Sequence, residues 1–469
     1  MVIRTSRKES MLKEYTKNFD RPLRSRRIGP EIECTAVCKE TLREPSVAQV
    51  TKLFENMAAR DGWKAEKEVL MTDGGLEEAC TGASKRIGGY NVLVTTDVGT
   101  GTIEACIPPS VSLKEAERHI KDIMGMVCEV ADMSGIYILG LGFSPVSEPS
   151  SNLVMPKPRY TYFTEKVFGR NIGEIALSSA AQCHIEVSSD ELPRVLNVLN
   201  GFSPALIALT ANSTIVGGEF TEYLEFRGRA YDSLVRSGGI EAKRVGIADR
   251  FGTIEECYEC MLDFRPIFTK RNGEYYGYNG RVSSMREYLA NGKTETHSIL
   301  NGSRMDIKPE LVDMFFLEGT VWWDARPKGV YGTVELRPCS FQPSTNDLMA
   351  INAAALGLVE NSREAERMIT RYSLREIEAA RADAMANGVR ARIGGGELHA
   401  FAEGMLGIAS AGLSSIGEDV GYLAPLFRNL ERMESPADRS RKRLVSIGKE
   451  SEGRDDALRT FVEAHRYSL

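Results

Sequence analysis

Four short segments of this chain set glutamates against apolar residues with a period of two, and a fold has to supply a reason for that. In a strand, successive side chains point to opposite faces. In "IGPEIECTAV", Ile28, Pro30, Ile32, Cys34 and Ala36 share one face, which leaves Glu31, Glu33 and Thr35 on the other. In "GTIEACIP", Ile103 and Ala105 oppose Thr102, Glu104 and Cys106. In "QCHIEVS", Cys183, Ile185 and Val187 oppose Gln182, His184 and Glu186. "GTVELRP" sets Val334 and Leu336 against Thr333, Glu335 and Arg337.

An exposed face of an open antiparallel sheet tolerates such carboxylates at little cost. Exposed faces usually mix lysine with glutamate, however, and all four segments lack lysine. Packed together without cations, these acids would raise one another's pKa and resist burial. The pattern therefore points to a concave divalent-metal site formed by Glu31, Glu33, Glu104, His184, Glu186 and Glu335. Oxygen donors with a single imidazole suit Mg²⁺ or Mn²⁺ better than Zn²⁺, and Mg²⁺ sites of this kind work with substrate phosphates. Arg337 shares a face with Glu335, and "TEYLEFRGR", read as a strand, aligns Tyr223, Glu225, Arg227 and Arg229. A guanidinium fork beside Mg²⁺ binds phosphate or carboxylate bidentately, which favours phosphoryl-transfer chemistry.

With 469 residues and a net charge of −6, the chain has material for a large core and no basic excess suggesting a nucleic-acid partner. Its first fifteen residues are polar and lack the apolar core of a signal peptide, and no apolar run is long enough for a bilayer, so a cytoplasmic protein is expected. The nine cysteines form no framework spacing, and Cys257/Cys260 is an isolated CxxC pair. The basic run "RPLRSRR" reads as a solvated arm. Strand-like segments near 28–38, 100–107, 182–188, 221–229 and 330–339 alternate with helical ones. Ser112 to Glu115 reads as a capping box opening an amphipathic helix to about Met133, Ser189 to Ala211 carries apolar residues at helical spacing, and the chain is mostly helical from about 348 with a glycine loop at 393–397. The expectation is an α+β fold with helices on one face of a largely antiparallel sheet. Its expected parts are an N-terminal arm (1–27), one catalytic domain (28–445) and a C-terminal tail (446–469).

Several motifs, in order, resemble the carboxylate-amine ligase superfamily, in particular the glutamate-cysteine ligases of the plant-type and related bacterial branch. They are "GPEIE" (29–33), "GTIEACIPP" (101–109), "LGFSP" (141–145), "MPKPRY" (155–160), "CHIEV" (183–187), "ANS" (211–213) with "EFR" (225–227), "WWDARPKGVYGTVELRP" (322–338) and "GLSSIGEDVGYLAPL" (412–426). The resemblance implies a glutamine-synthetase-like fold, with a curved antiparallel sheet forming a funnel and helices on its outer face. It implies that ATP phosphorylates the γ-carboxylate of glutamate and that cysteine's amine attacks the acyl phosphate, giving γ-glutamylcysteine, ADP and phosphate. Under it Glu31, Glu33, Glu104, His184, Glu186 and Glu335 face the metal, Glu335 and Arg337 are catalytic, and Arg337 also meets the nucleotide. Arg227, Arg159 and Tyr160 fall at substrate-binding positions. Two positions depart from the pattern: Glu225 replaces a frequent Ser, and Ser340 replaces a frequent Asp. The expected partners are ATP, glutamate and an amine, in a monomer or homodimer. Alternatives are a same-fold ligase with another amine acceptor, a guanidino kinase-like phosphotransferase, and a nucleotide-binding regulator without turnover.

Overall fold

The alternating segments pair with one another, because each buries one apolar face and leaves the other polar. In this computed structural model, which describes residues 2–469 apart from Pro22 and Arg24 and side chains from residue 7 onward, they lie in a nine-stranded antiparallel sheet. Its strands include β1 (Ile28–Cys38), β2 (Lys64–Thr72), β3 (Gly75–Ile87), β4 (Tyr90–Thr96), β5 (Thr102–Cys106), β6 (Ile136–Leu139) and β7 (Ala181–Glu186). The Ala325–Lys328 and Thr333–Leu336 strands complete it. The order is Ala325–Lys328, Thr333–Leu336, β7, β1, β5, β4, β3, β2, with β6 paired to the far half of β1. Four of the five expected strands are therefore present and adjacent.

The apolar face carries Ile32, Cys34, Ile103, Ala105, Cys183, Ile185, Val334 and Leu336, all buried in one core cluster. The helices Val47–Ala58, Leu113–Met133 and Thr345–Glu360 pack against the sheet. Ser112 caps Leu113–Met133 by accepting from Glu115 N–H, while the Glu115 carboxylate accepts from Val111 N–H rather than closing a reciprocal box. The expected 189–211 helix is two helices, Leu192–Gly201 and Ser203–Thr210. No single helix among the described residues is long and apolar enough to cross a membrane, and this bent pair, which is by composition, lies within the core.

Several expectations change. The 221–229 stretch is the entry to a helix, Phe226–Arg236, so Arg227 and Arg229 point in different directions and the expected row of Tyr223, Glu225, Arg227 and Arg229 does not form. The pattern misled because Phe226, Ala230 and Leu234 also satisfy a helical repeat. The glycine loop at 393–397 is a tight hairpin pairing Arg392–Ile393 with Gly396–Glu397. The N-terminal segment is helical over Val2–Thr16, and Met11, Tyr15 and Phe19 enter the main core. Within the basic run, Pro22 and Arg24 lie outside the described residues, and Arg26 is not solvated: it pairs with Glu191 at 3.0 Å and Glu360 at 2.7 Å. Cys257 is buried on the helix Ile254–Leu262, and the metal-competent group found among the described residues contains no cysteine.

The chain beyond residue 446 also docks. Phe461 and Val462 pack with Val37, Leu139 and Leu141, and Tyr467 stacks on Phe341 with ring centroids 5.1 Å apart. Tyr467 N–H donates to Ile138 O, and Ser468 N–H donates to Pro343 O.

Candidate active site

Strand register assembles the polar face. Glu33 lies opposite Glu104, Glu31 opposite Gln182, Glu335 opposite His184, and Thr333 opposite Glu186. Gly332, at φ +71°, immediately precedes the last strand, and a Cβ there would fall 2.3 Å from Asn18 O, so only glycine fits this turn.

His184 joins two strands. Its Nε2 lies 3.0 Å from Glu31 Oε2 and its Nδ1 3.1 Å from Thr333 Oγ1. One donor atom from each of Glu31, His184 and Glu335 falls within 4.8 Å of the others, a spacing that can hold a metal ion. Glu335 is nearly inaccessible and lies between cations: Arg326 Nε donates to it at 2.5 Å and an Arg337 Nη at 2.6 Å. Burial alone would raise its pKa, but Arg326, Arg337 and Lys328 outweigh burial and hold the carboxyl well below its ordinary range. Gln182 bridges the halves of the site, donating from Nε2 to Glu33 Oε1 and accepting from Arg337 at 2.7 Å.

At Glu33 and Glu104 the nearby arginines do not outweigh burial and the neighbouring acids. Burial, with Asp97 next, pushes Glu33 up to about 8, and the second oxygen of Glu33 is buried without a hydrogen-bond partner. Burial and the charges of Glu31, Asp97 and Glu33 push Glu104 well above its usual range. In Glu31, burial is opposed by the His184 hydrogen bond, and the net shift is downward. Crowded carboxylates with an open, buried oxygen fit a hard divalent cation, which would neutralise them. Glu186 shares the face but lies toward the edge, accepting from Arg27 N–H at 3.3 Å.

The arginines take different places. Arg227 is buried; an Nη donates to Arg337 O at 3.1 Å, its guanidinium lies 5.1 Å from the centre of the Tyr231 ring, and its Nε has no partner. A small cavity opens between Arg227, Tyr231, Trp322 and Arg337. Trp323 packs in the core against Phe251 and Phe264, and Trp322 packs against Phe163 and Phe168, each with an edge that reaches this cavity. An Arg159 Nη donates to Tyr160 OH at 2.6 Å, and that hydroxyl donates to Asp97 Oδ1 at 2.7 Å. This is a half-buried relay rather than a surface salt bridge. On the other side of His184, a cleft of about 590 Å³ is lined by Arg27, Glu31, Tyr90, Pro108, Glu186 and Tyr331, among others.

Sequence reasoning did not find Asp97, Arg326 or Lys328. Asp97 directly follows β4, where Thr95 pairs with Glu104, so the pleat carries it to the same face. Arg326 and Lys328 are the cross-strand neighbours of Glu335 and Thr333, and "ARPK" carries the same period-two signal in basic form.

The profile of glutamate-cysteine ligase family 2 matches residues 27–454. The chain belongs to this family. That membership places it among the ATP-dependent carboxylate–amine ligases. The chain is 24% identical over 433 residues to a chloroplastic glutamate–cysteine ligase of Brassica juncea, covering 88% of this chain and 76% of that one. It is 24% identical over 441 residues to glutamate–cysteine ligase B of Oryza sativa subsp. japonica, covering 91% and 82%. Against a putative glutamate–cysteine ligase 2 of Herpetosiphon aurantiacus the match is 23% over 241 residues, spanning 51% of this chain and about half, 48%, of the relative. In three dimensions the chain is similar to a glutamate–cysteine ligase from Francisella tularensis solved with AMP, at a TM-score of 0.50 and 12% identity over 96% of this chain and 89% of that one. That likeness concerns the fold, which is the glutamine-synthetase-like α+β arrangement.

Proposed function

We propose that this member of the family joins the γ-carboxylate of glutamate to the amine of cysteine through an acyl phosphate, with ATP as the phosphoryl donor. The observation that carries the proposal is the convergence of Glu31, Glu33, Glu104, His184 and Glu335 on one sheet face beside two arginines with open or shared donors. Family membership supports glutamate and cysteine as the substrates.

Glu31, His184 and Glu335 would hold Mg²⁺ or Mn²⁺, with Glu33 and Glu104 on the same sheet face as further oxygen donors. When bound, the cation supplies charge neutralisation and orientation for the ATP phosphates. The cleft beside His184 is of nucleotide size and opens directly onto Glu31. Arg227, with its unpartnered Nε, is suited to the substrate α-carboxylate, which leaves the γ-carboxylate to reach the phosphate end. A γ-carboxylate oxygen then attacks the γ-phosphorus, the β–γ bridging bond breaks, and ADP leaves. Arg337, held by Glu335 and Gln182, presents its guanidinium where negative charge accumulates in that transfer. The amine nitrogen attacks the acyl carbon, phosphate departs with the bonding pair, and the amine proton passes to a nearby carboxylate. Asp97 stands next to the acid cluster with one oxygen accepting from Tyr160, and it suits this last role.

The test is ADP release with glutamate and a panel of amines. Release should require glutamate, cysteine should be the best amine, EDTA should stop the reaction, and Mg²⁺ or Mn²⁺ should restore it better than Zn²⁺. Hydroxylamine, which needs little of an acceptor pocket, should intercept the intermediate as a hydroxamate. A stable phosphorylated substrate with neither amide nor hydroxamate would mean a phosphotransferase instead.

A further inference from the structure

Two residues before Arg227 lies Glu225, a buried acid that takes no part in the acid cluster. Glu225 occupies the position before the helix Phe226–Arg236, yet its carboxylate does not cap that helix. It turns inward with no solvent exposure: Oε1 accepts from Ser340 Oγ–H at 2.6 Å and Oε2 accepts from Asn212 N–H at 3.1 Å. Ser340 follows Arg337 by three residues, and Arg227 reaches back to the Arg337 carbonyl at 3.1 Å. The two segments, 225–227 and 337–340, are thus tied twice, once by each side chain. Ser213 locks the same corner, since its Oγ accepts from Arg227 N–H at 3.0 Å and its carbonyl accepts from Phe226 N–H.

This geometry has a specific electrostatic merit. A buried guanidinium needs a compensating negative charge nearby, but a carboxylate bonded directly to it would fill the donors a substrate has to use. Burial pushes the Glu225 carboxyl up, the Ser340 hydrogen bond and the charge of Arg227 oppose part of that shift, and both Glu225 oxygens are occupied by Ser340 and Asn212, so neither takes a donor from Arg227, whose Nε has no partner. The space is tailored as well, because a Cβ on Gly142 would fall 2.2 Å from Ser340 Oγ.

We propose that Glu225, through its hydrogen bond to Ser340, is the positioning residue that holds the Arg227 guanidinium open toward a substrate carboxylate, and so sets glutamate affinity rather than phosphoryl transfer. The proposal rests on the glutamate-binding reading of Arg227 given above. Exchanging the two side chains keeps one carboxylate and one hydroxyl between the segments while giving up the Glu225–Asn212 bond, so the exchange tests the 225–340 contact by itself.

The experiment compares Glu225→Ala, Glu225→Ser and the double variant Glu225→Ser/Ser340→Asp with the wild type. Glu225→Ala should raise the glutamate KM by roughly tenfold or more while the ATP KM and kcat stay within about threefold. The double variant should recover most of the loss seen in Glu225→Ser. Equal rises in both KM values, or no recovery in a folded double variant, would overturn the role. Wild-type protein without glutamate-dependent ADP release would instead refute the functional reading. The positioning claim then still stands or falls on a crystal structure of Glu225→Ala: the hydrogen bond from Arg227 to Arg337 O should be lost, and its persistence with the guanidinium in the same place would overturn the claim.

Discussion

Arg326 and Glu335 are direct cross-strand neighbours, and Arg326 Nε donates to Glu335 Oε2 at 2.5 Å with both side chains almost wholly out of solvent. Glu335 thus belongs both to the group spaced to hold a metal ion and to a buried arginine pair, and that fixes the sign of its substitution.

Glu335→Gln should lose most turnover and also destabilise the protein by about 3–5 kcal/mol, because it leaves Arg326 and Arg337 buried without their shared counter-charge. Denaturant unfolding reads the second effect. Adding Arg326→Met should recover part of the stability and none of the activity. A Glu335→Gln protein as stable as wild type would show that the pair is better solvated than its burial indicates.

Glu104→Gln should have the opposite effect on the metal-free protein. It removes one of a crowded set of acids, so the melting temperature measured in EDTA should rise, while stabilisation by added Mg²⁺ and turnover both shrink. A lower melting temperature in EDTA would indicate that Glu104 is already compensated by protein groups.

A single Nη of Arg337 donates to both Glu335 and Gln182, so Arg337→Lys keeps the charge and a nitrogen for those bonds but loses the remaining guanidinium donors that a phosphate would use. The expected outcome is a fall in kcat of about 100-fold, comparable to deleting one transition-state hydrogen-bond donor. Unchanged steady-state kinetics would place the guanidinium outside the reaction.

His465 gives a pH prediction far from the acid cluster. Burial lowers its pKa to about 4, Arg443 adds to the effect, and Nδ1–H donates to Phe461 O at 2.7 Å. The unfolded imidazole protonates near 6.5 and the folded one only near 4, so between those values the unfolded chain binds more protons. This contribution to stability is complete above pH 6.5 and is lost as pH falls toward 4. His465→Gln should flatten that acid limb in melting experiments, and an unchanged slope would assign it to other groups.

The parts of the fold legible in the sequence were those with two chemically different faces. The segments carrying Glu31, Glu104, His184 and Glu335 each bury one side, so their period was visible and their adjacency followed from the shared acid pattern. β2 shows no two-faced pattern because its first half, Lys64–Glu68, is mostly exposed and charged on both sides. Arg227 was found with the wrong geometry, since apolar residues four apart in a helix also satisfied a short strand reading. Asp97 left no local trace: its place beside Glu33 and Glu104 exists only once β4 and β5 pair. The departures at Glu225 and Ser340 were visible as isolated oddities, and only the fold brings them together at 2.6 Å.

The stacking of Tyr467 on Phe341 and the hydrogen bond from Ser468 to Pro343 bear on when this protein can begin to work. Phe341 and Pro343 lie one and three residues after Ser340, so the back of the Arg227–Arg337 corner acquires this packing partner only after residues 467 and 468 have been synthesised. On the ribosome, a nascent chain already carrying every acid and arginine of the cluster would still hold that corner loosely. The corner should therefore tighten only once Tyr467 and Ser468 have left the exit tunnel, and a message truncated shortly before Tyr467 would yield a polypeptide that carries every acid and arginine of the cluster and a poorly set site.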